Sequence, residues 1–224
     1  MAETCIRSWR SPCGRVEVAY EESFSGFLIT GFVVWGAAHY LSKALCERRS
    51  LLDGAQVLEI GAGCGLVSAV AASLGAKVLA TDREVMLPRL QSTSHLGLPS
   101  QHFEVAELEW HSDPPWQPGR FDLILGSDVT YGSHCHEDLL RLLWKLTEGS
   151  QTQTLLAHCV RSPEQTAMLW HHLIADWPGV VWLLDDGGIL RKCHCKEGRK
   201  EADLLDTCIT FVLAASAPKL GTPL

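Results

Sequence analysis

The chain has 224 residues, 46% of them hydrophobic and 20% charged, with a formal net charge of -7. Those values suit one globular domain with a sizeable core, and they provide no basic field to hold nucleic acid or an anionic membrane. The first residues, MAETCIRSWRSPCGR, carry no apolar signal-peptide core, and no apolar run is long enough for a spanning helix, so a cytoplasmic or nuclear protein is expected. From Gly31 to Leu45 the apolar residues Trp35, Ala38, Leu41 and Leu45 recur at helical spacing. Gln56–Ile60 then reads as a strand, Gly65–Leu74 as a small-residue helix and Lys77–Thr81 as a second strand. Arg83–Leu96 reads as a helix, and His102–Ala106 and Phe121–Gly126 as strands. Glu137–Leu146 (helix), Thr154–Cys159 (strand) and Pro163–Trp177 (helix) continue the pattern. Such alternation predicts a parallel sheet covered by helices on both faces. Val180–Leu184 and Thr207–Leu213 break it: both are strands, separated only by a polar, glycine-bearing segment, which predicts an antiparallel hairpin at one sheet edge. The expected organisation is an N-terminal extension over 1–28 (a candidate β-hairpin), a main domain over 29–215 and a flexible tail over 216–224.

Nine scattered cysteines, odd in number, read as free thiols. Cys193-His194-Cys195, with Cys208 beyond, lacks the second paired motif of a structural zinc site. His134 and His136 around Cys135 read the same way, and no metal is expected.

The informative stretch is VLEIGAGCG, residues 57–65, where a strand runs into Gly61, Gly63 and Gly65. A dinucleotide fingerprint would place the third glycine one residue later, and a phosphate-binding P-loop would add a Gly-Lys-Ser/Thr sequence. Neither is present, and Glu59 would be a poor neighbour for a pyrophosphate. Asp82 ends the next strand, where an acid accepts hydrogen bonds from ribose hydroxyls in this architecture; its alternative is a helix N-cap. A nucleoside without phosphates and with positive charge fits these terms. S-adenosyl-L-methionine meets them. Trp35, near the start of its helix, either packs in the core or faces the ligand crevice.

These residues resemble the class I, seven-strand S-adenosylmethionine-dependent methyltransferases. TGFVVWGAAHYL (30–41), VLEIGAGCGLVSAVAASLGAKVLATD (57–82), LEW (108–110) and FDLILGSDVTY (121–131) resemble the protein-lysine branch, the methyltransferase-like 21 group and its relatives. The resemblance implies an α/β, Rossmann-like three-layer sandwich with a seven-stranded, mostly parallel sheet and an antiparallel C-terminal hairpin. It matches Trp35 to a tryptophan lining the cofactor pocket, and Gly61, Ala62 and Gly63 to the turn under the methionine moiety, with Glu59 supporting it. Asp82 matches the ribose-binding acid and Trp110 the residue bracketing the adenine. Ser127 stands where relatives usually have alanine. Asp128-Val129-Thr130-Tyr131 matches a D-x-x-Y motif, in which Asp128 holds the incoming amine in line and Tyr131 forms an aromatic wall. The implied reaction moves a methyl group to a lysine of a protein substrate, a chaperone or translation factor by family resemblance, and leaves S-adenosyl-L-homocysteine. The enzyme is expected to act as a monomer. The fold alone does not fix the acceptor: a histidine or small-molecule methyltransferase and an inactive cofactor-binding module are the alternatives.

Overall fold

A computed structural model describes residues 4–23, 30–97, 102–184, 190–192 and 208–214. The chain falls into two units, Met1–Glu109 with Leu123–Ser127, and Trp110–Asp122 with Asp128–Leu224.

In the first unit, β1 (Thr4–Arg10) and β2 (Glu17–Ser23) form an antiparallel hairpin, and β3 (Gln56–Ile60), β4 (Lys77–Asp82), β5 (Phe103–Glu107) and β6 (Leu123–Ser127) form parallel pairs in the order β5-β4-β3-β6. The helices are α1 (Gly36–Glu47), α2 (Leu66–Ser73) and α3 (Leu87–Ser94). Two helices start later than their apolar spacing predicts. Ahead of α1, Thr30–Phe32 forms a 3-10 turn and Trp35 stays extended, so the helix begins only at Gly36. Ahead of α3, Glu84–Met86 is a 3-10 turn and Pro88 sits in the first helical turn, where its missing N–H costs nothing. α2 is buried from Leu66 to Ala72. Its alanines let α1 pack against it closely, while β2 covers α2 and α3 from the hairpin side, burying Val18 and Tyr20. Leu41, Leu45, Leu58, Ile60, Leu66 and Leu90 are fully buried side chains of this core. Each contributes roughly 1.5–3 kcal/mol of burial.

The second unit holds α4 (His136–Thr147), α5 (Pro163–Ala175) and the strands β7 (Gln153–Cys159), β8 (Val180–Leu184), β9 (Leu190–Lys192) and β10 (Cys208–Ala214), in the order β7-β10-β8-β9 and all antiparallel. α4 buries Leu139, Leu140, Leu142, Leu143 and Leu146, the apolar stripe expected of an amphipathic helix. α5 is capped by Ser162, whose hydroxyl accepts the Gln165 N–H at 3.3 Å, and Pro163 opens its first turn. β8 and β10 pair as the sequence predicts. However, β10 inserts between β7 and β8 rather than closing an edge, and the edge strand is β9, a short segment that the polar composition of 185–206 concealed. Phe211 on β10 is fully buried, with the Trp170 ring edge-on to it at 5.0 Å. The fold is of the expected α/β, Rossmann-like class, mostly parallel with antiparallel C-terminal strands, and has eight strands besides the hairpin among the described residues. Cys193 and Cys195 and the expected tail at 216–224 lie outside the described residues.

Candidate functional site

The glycine turn is built from backbone. Gly61, Gly63 and Gly65 have φ of 60°, 55° and 78°, left-handed values that glycine adopts without steric cost. The Ala62 N–H reaches back to the Thr81 carbonyl at 3.0 Å, tying the turn to the end of β4. A Cβ on Gly63 would stand 3.1 Å from the Gly31 carbonyl oxygen, so the 30–35 segment lies directly over the turn. The Cys64 thiol donates to that same carbonyl at 3.4 Å. Gly65 is needed for packing: a Cβ there would press on Leu90, Phe103 and Thr93. The early third glycine therefore lets α2 start close against α3 and β5.

Trp35 is 43% exposed and its indole N–H donates to the Thr30 carbonyl at 2.8 Å, which removes the core-residue alternative. The same segment is anchored to the hairpin by Glu22, whose carboxylate accepts the Val34 N–H at 2.7 Å.

The two acids of this unit behave differently. Glu59 is fully buried, receives a hydrogen bond from the Ser68 hydroxyl on α2, and leaves Oε1 without a protein partner. Burial pushes its pKa up to about 8, against the opposing effect of the Ser68 bonds, so the group is mostly neutral at pH 7. Glu59 thus joins the end of β3 to α2 beneath the turn and presents no charge to a ligand. Asp82 is 9% exposed: Oδ2 accepts the Gly63 N–H and Oδ1 the Arg83 N–H, both at 2.8 Å. Its side chain spans to the glycine turn instead of capping a helix. Burial raises its pKa and the two N–H bonds oppose that rise. Each oxygen keeps a free lone-pair direction for a hydroxyl donor. A turn of glycine backbone, an acid with spare acceptor capacity and an exposed indole fit a nucleoside with a flexible amino-acid tail.

Ser127 is half-buried at the end of β6. The next residue, Asp128, has φ of 57° and is the one non-glycine residue with positive φ among those described. A non-glycine residue there carries strain that its surroundings must hold in place. They do so with a polar network. The Asp128 N–H donates to the Ala157 carbonyl at 2.8 Å. Arg161 grips the carboxylate with both terminal nitrogens, Nη1 to Oδ1 at 2.7 Å and Nη2 to Oδ2. Thr130 Oγ1 shares a hydrogen bond with His158 Nδ1 at 2.8 Å, and His158 Nε2 shares one with Thr166 Oγ1 at 3.1 Å. Burial pushes the His158 pKa down to about 4, so the ring is neutral at pH 7. His136 Nε2 lies 3.1 Å from the Thr130 carbonyl, which can only accept, so that nitrogen carries the proton. Tyr131 is 44% exposed at the end of the motif. Trp110 is half-buried, and its carbonyl accepts from Arg141 at 3.1 Å.

Trp35, Glu59, Gly61, Ala62, Gly63 and Asp82 therefore assemble in the first unit, whereas Trp110, Asp128 and Tyr131 belong to the second. Ser68, Glu22, His136, His158, Arg161 and Thr166 were not anticipated. One signal was available for Arg161 and His158: AHCVRS runs off the carboxyl end of a predicted strand, where ligand crevices open in α/β sheets.

A sequence profile described as lysine methyltransferase matches residues 20–171. The chain is 43% identical over 132 residues to the mouse protein N-lysine methyltransferase METTL21A, aligning 57% of this chain with 59% of that protein. It is 41% identical over 133 residues to the zebrafish METTL21A (58% and 61%), and 34% identical over 120 residues to the mouse EEF1A lysine methyltransferase 3 (53% and 51%). The chain spans about half to three-fifths of the length of these curated relatives. Among solved structures, the Thermus thermophilus 16S rRNA N2 G1207 methyltransferase, in complex with AdoMet and guanosine, shares the fold at a TM-score of 0.57 and 18% identity, over 97% of this chain and 52% of that one. The ribosomal protein L11 methylase of Lactobacillus delbrueckii does so at 0.53 and 20%, over 83% and 81%. The matched profile takes in the glycine turn, Asp82 and the whole of SDVTY, and the chain belongs to the lysine methyltransferase family.

Proposed function

We propose that this chain is an S-adenosyl-L-methionine-dependent protein N-lysine methyltransferase, acting on a protein of the cytoplasm or nucleus. The observation that carries the reading is the profile match over 20–171, which encloses both groups of site residues. A relative named for EEF1A favours a translation factor as the substrate. The donor supplies a sulfonium methyl group and departs as S-adenosyl-L-homocysteine. Gly61, Ala62 and Gly63 receive its methionine end, Asp82 its ribose hydroxyls, and Trp35, Trp110 and Ser127 line the remainder. Glu59, neutral and bound to Ser68, keeps the turn in shape.

Transfer is an in-line displacement, so positioning supplies most of the rate. The acceptor nitrogen must offer a lone pair. A lysine amine of pKa ~10.4 needs roughly 4–5 kcal/mol to lose its proton at pH 7. Asp128 orients the amine by accepting one of its N–H bonds, and Tyr131 walls the approach. Incubation with methyl-labelled donor and a cytosolic extract tests this reading. A labelled protein band in which the label hydrolyses out as methyl-lysine supports it. Label recovered as methyl-histidine, label only in small molecules, or donor binding without any transfer overturns it.

A further inference from the structure

The carboxyl end of β2 places two acids side by side, and both bear on the surroundings of the glycine turn. Glu22 follows Val18 and Tyr20 on one face of the strand, since alternate residues share a side, and all three are buried. A glutamate is rarely buried unless a partner holds it. Here the partner is backbone: the Val34 N–H donates to Oε1 at 2.7 Å, twelve residues along the chain. The Arg7 Nε stands 3.5 Å from Oε2, on a half-exposed side chain, a pairing of small worth.

Val34 belongs to the segment that lies over the turn. The Gly31 carbonyl accepts from the Cys64 thiol, and a Cβ on Gly63 would stand 3.1 Å from that carbonyl oxygen. The Arg89 guanidinium of α3 sits over the Phe32 ring, 4.5 Å from its centre, and meets the Glu21 carboxylate at 3.4 Å. Glu21 also reaches the turn by a second route. Its N–H donates to Thr93 Oγ1 at 3.1 Å, and that hydroxyl donates to the Cys64 carbonyl at 2.9 Å. β2 therefore holds the turn through Thr93 and the segment above it through Glu22. Regular structure within 30–35 amounts to one 3-10 turn, so its place depends on such ties, and the bond from Val34 to Glu22 is the shortest of those that join it to the hairpin, the turn and α3.

We propose that Glu22 is a positioning residue for the methyl donor: through Val34 it sets the height of the 30–35 segment over Gly61–Gly63, and so the width of the slot that takes the donor's amino-acid tail. This rests on the S-adenosyl-L-methionine reading of that turn given above. The nucleoside end depends less on Glu22, because Trp35 adjoins α1, which is held by its own packing on α2.

Calorimetry with two ligands separates tail from nucleoside: S-adenosyl-L-homocysteine carries the amino-acid tail and methylthioadenosine lacks it. Glu22→Met keeps the bulk of the buried side chain and removes the acceptor. It is expected to bind S-adenosyl-L-homocysteine roughly 10-fold more weakly and methylthioadenosine less than ~3-fold more weakly. Glu22→Gln, which retains an acceptor oxygen, should recover most of the loss. Glu17→Ala removes the exposed ion pair with Arg10 at the other end of the same hairpin and should leave the ratio of the two affinities unchanged. In the wild type without ligand, the Val34 amide should exchange slowly with deuterium, a measurement that needs no variant to fold. Equal weakening of both ligands in Glu22→Met, unchanged affinity for S-adenosyl-L-homocysteine, or a ratio shifted as far by Glu17→Ala overturns the inference. So does a Val34 amide that exchanges as fast as in an unstructured peptide. Failure of the wild type to bind S-adenosyl-L-homocysteine overturns the donor-site reading instead.

Discussion

Asp82 and Asp128 are buried to the same degree, at 9% and 8% exposure, yet the protein holds them by opposite means. Asp82 is held by two backbone N–H groups, one to each oxygen, which oppose the rise in pKa that burial causes. Asp128 is held by a guanidinium, which grips both of its oxygens from a side chain 33 residues away. The first fixes the acid to the glycine turn; the second fixes it to the start of α5. Burial alone does not decide what a carboxylate can do. The identity of the donor does.

The two aspartates should therefore fail differently when substituted. Asp128→Asn is expected to lower transfer by on the order of 100-fold or more while calorimetry finds donor affinity unchanged. Asp82→Ala removes two charge-assisted bonds, each worth about 1.5–3 kcal/mol, and should weaken donor binding by on the order of 100-fold, with transfer partly restored at saturating donor. If both variants lose donor affinity equally, the division of labour is wrong. Next in size, Ser68→Ala removes the hydroxyl hydrogen bond to the buried Glu59 carboxyl and should cost about 1–3 kcal/mol in urea unfolding.

Proton linkage offers a further contrast. Glu59 has a folded pKa of about 8, above its ordinary value, so its stabilising contribution is complete at low pH and is lost as pH rises through 8. His158 has a folded pKa of about 4, below its ordinary value, so its contribution is complete above roughly 6.5 and is lost as pH falls toward 4. Between pH 6.5 and 8 the wild type should lose at most ~1.4 kcal/mol per pH unit through Glu59, and Glu59→Gln should flatten that slope without altering the decline on the acid side. A slope that survives in Glu59→Gln means the carboxyl is already ionised in the folded state. Thr166→Val, which removes the outer hydrogen bond to His158, is the smallest of these changes at about 1 kcal/mol, and should leave the slope above pH 6.5 untouched.

The unequal legibility of the two regions follows from the same contrast. The glycine turn could be read because it is contiguous and because each constraint acts on a single residue: a left-handed φ at Gly61 or Gly63 excludes most side chains at that position. The strand–helix alternation around it was legible for a similar reason, since periodicity is local. Asp128 and Tyr131 were found as a short motif, but the groups that define their chemistry were not. Arg161 lies 33 residues from Asp128 and His158 lies 28 from Thr130. Nothing in DVTY requires an arginine at one distant position, because pairing between side chains constrains the pair and not either residue alone. The short β9 escaped because three residues, LRK, are too few to show an alternation.

The left-handed backbone at Asp128 has a consequence for any attempt to sample that position broadly. In a saturation library sorted only for folded protein, with methylation ignored, glycine and asparagine should be the best tolerated at 128, since both adopt φ near 57° readily. Alanine should pay about 1 kcal/mol, and valine and isoleucine should be depleted most, their branched Cβ being the least compatible with that φ. The survivors would then report a conformational filter laid over the chemical one, and asparagine is the substitution in which only the chemistry changes.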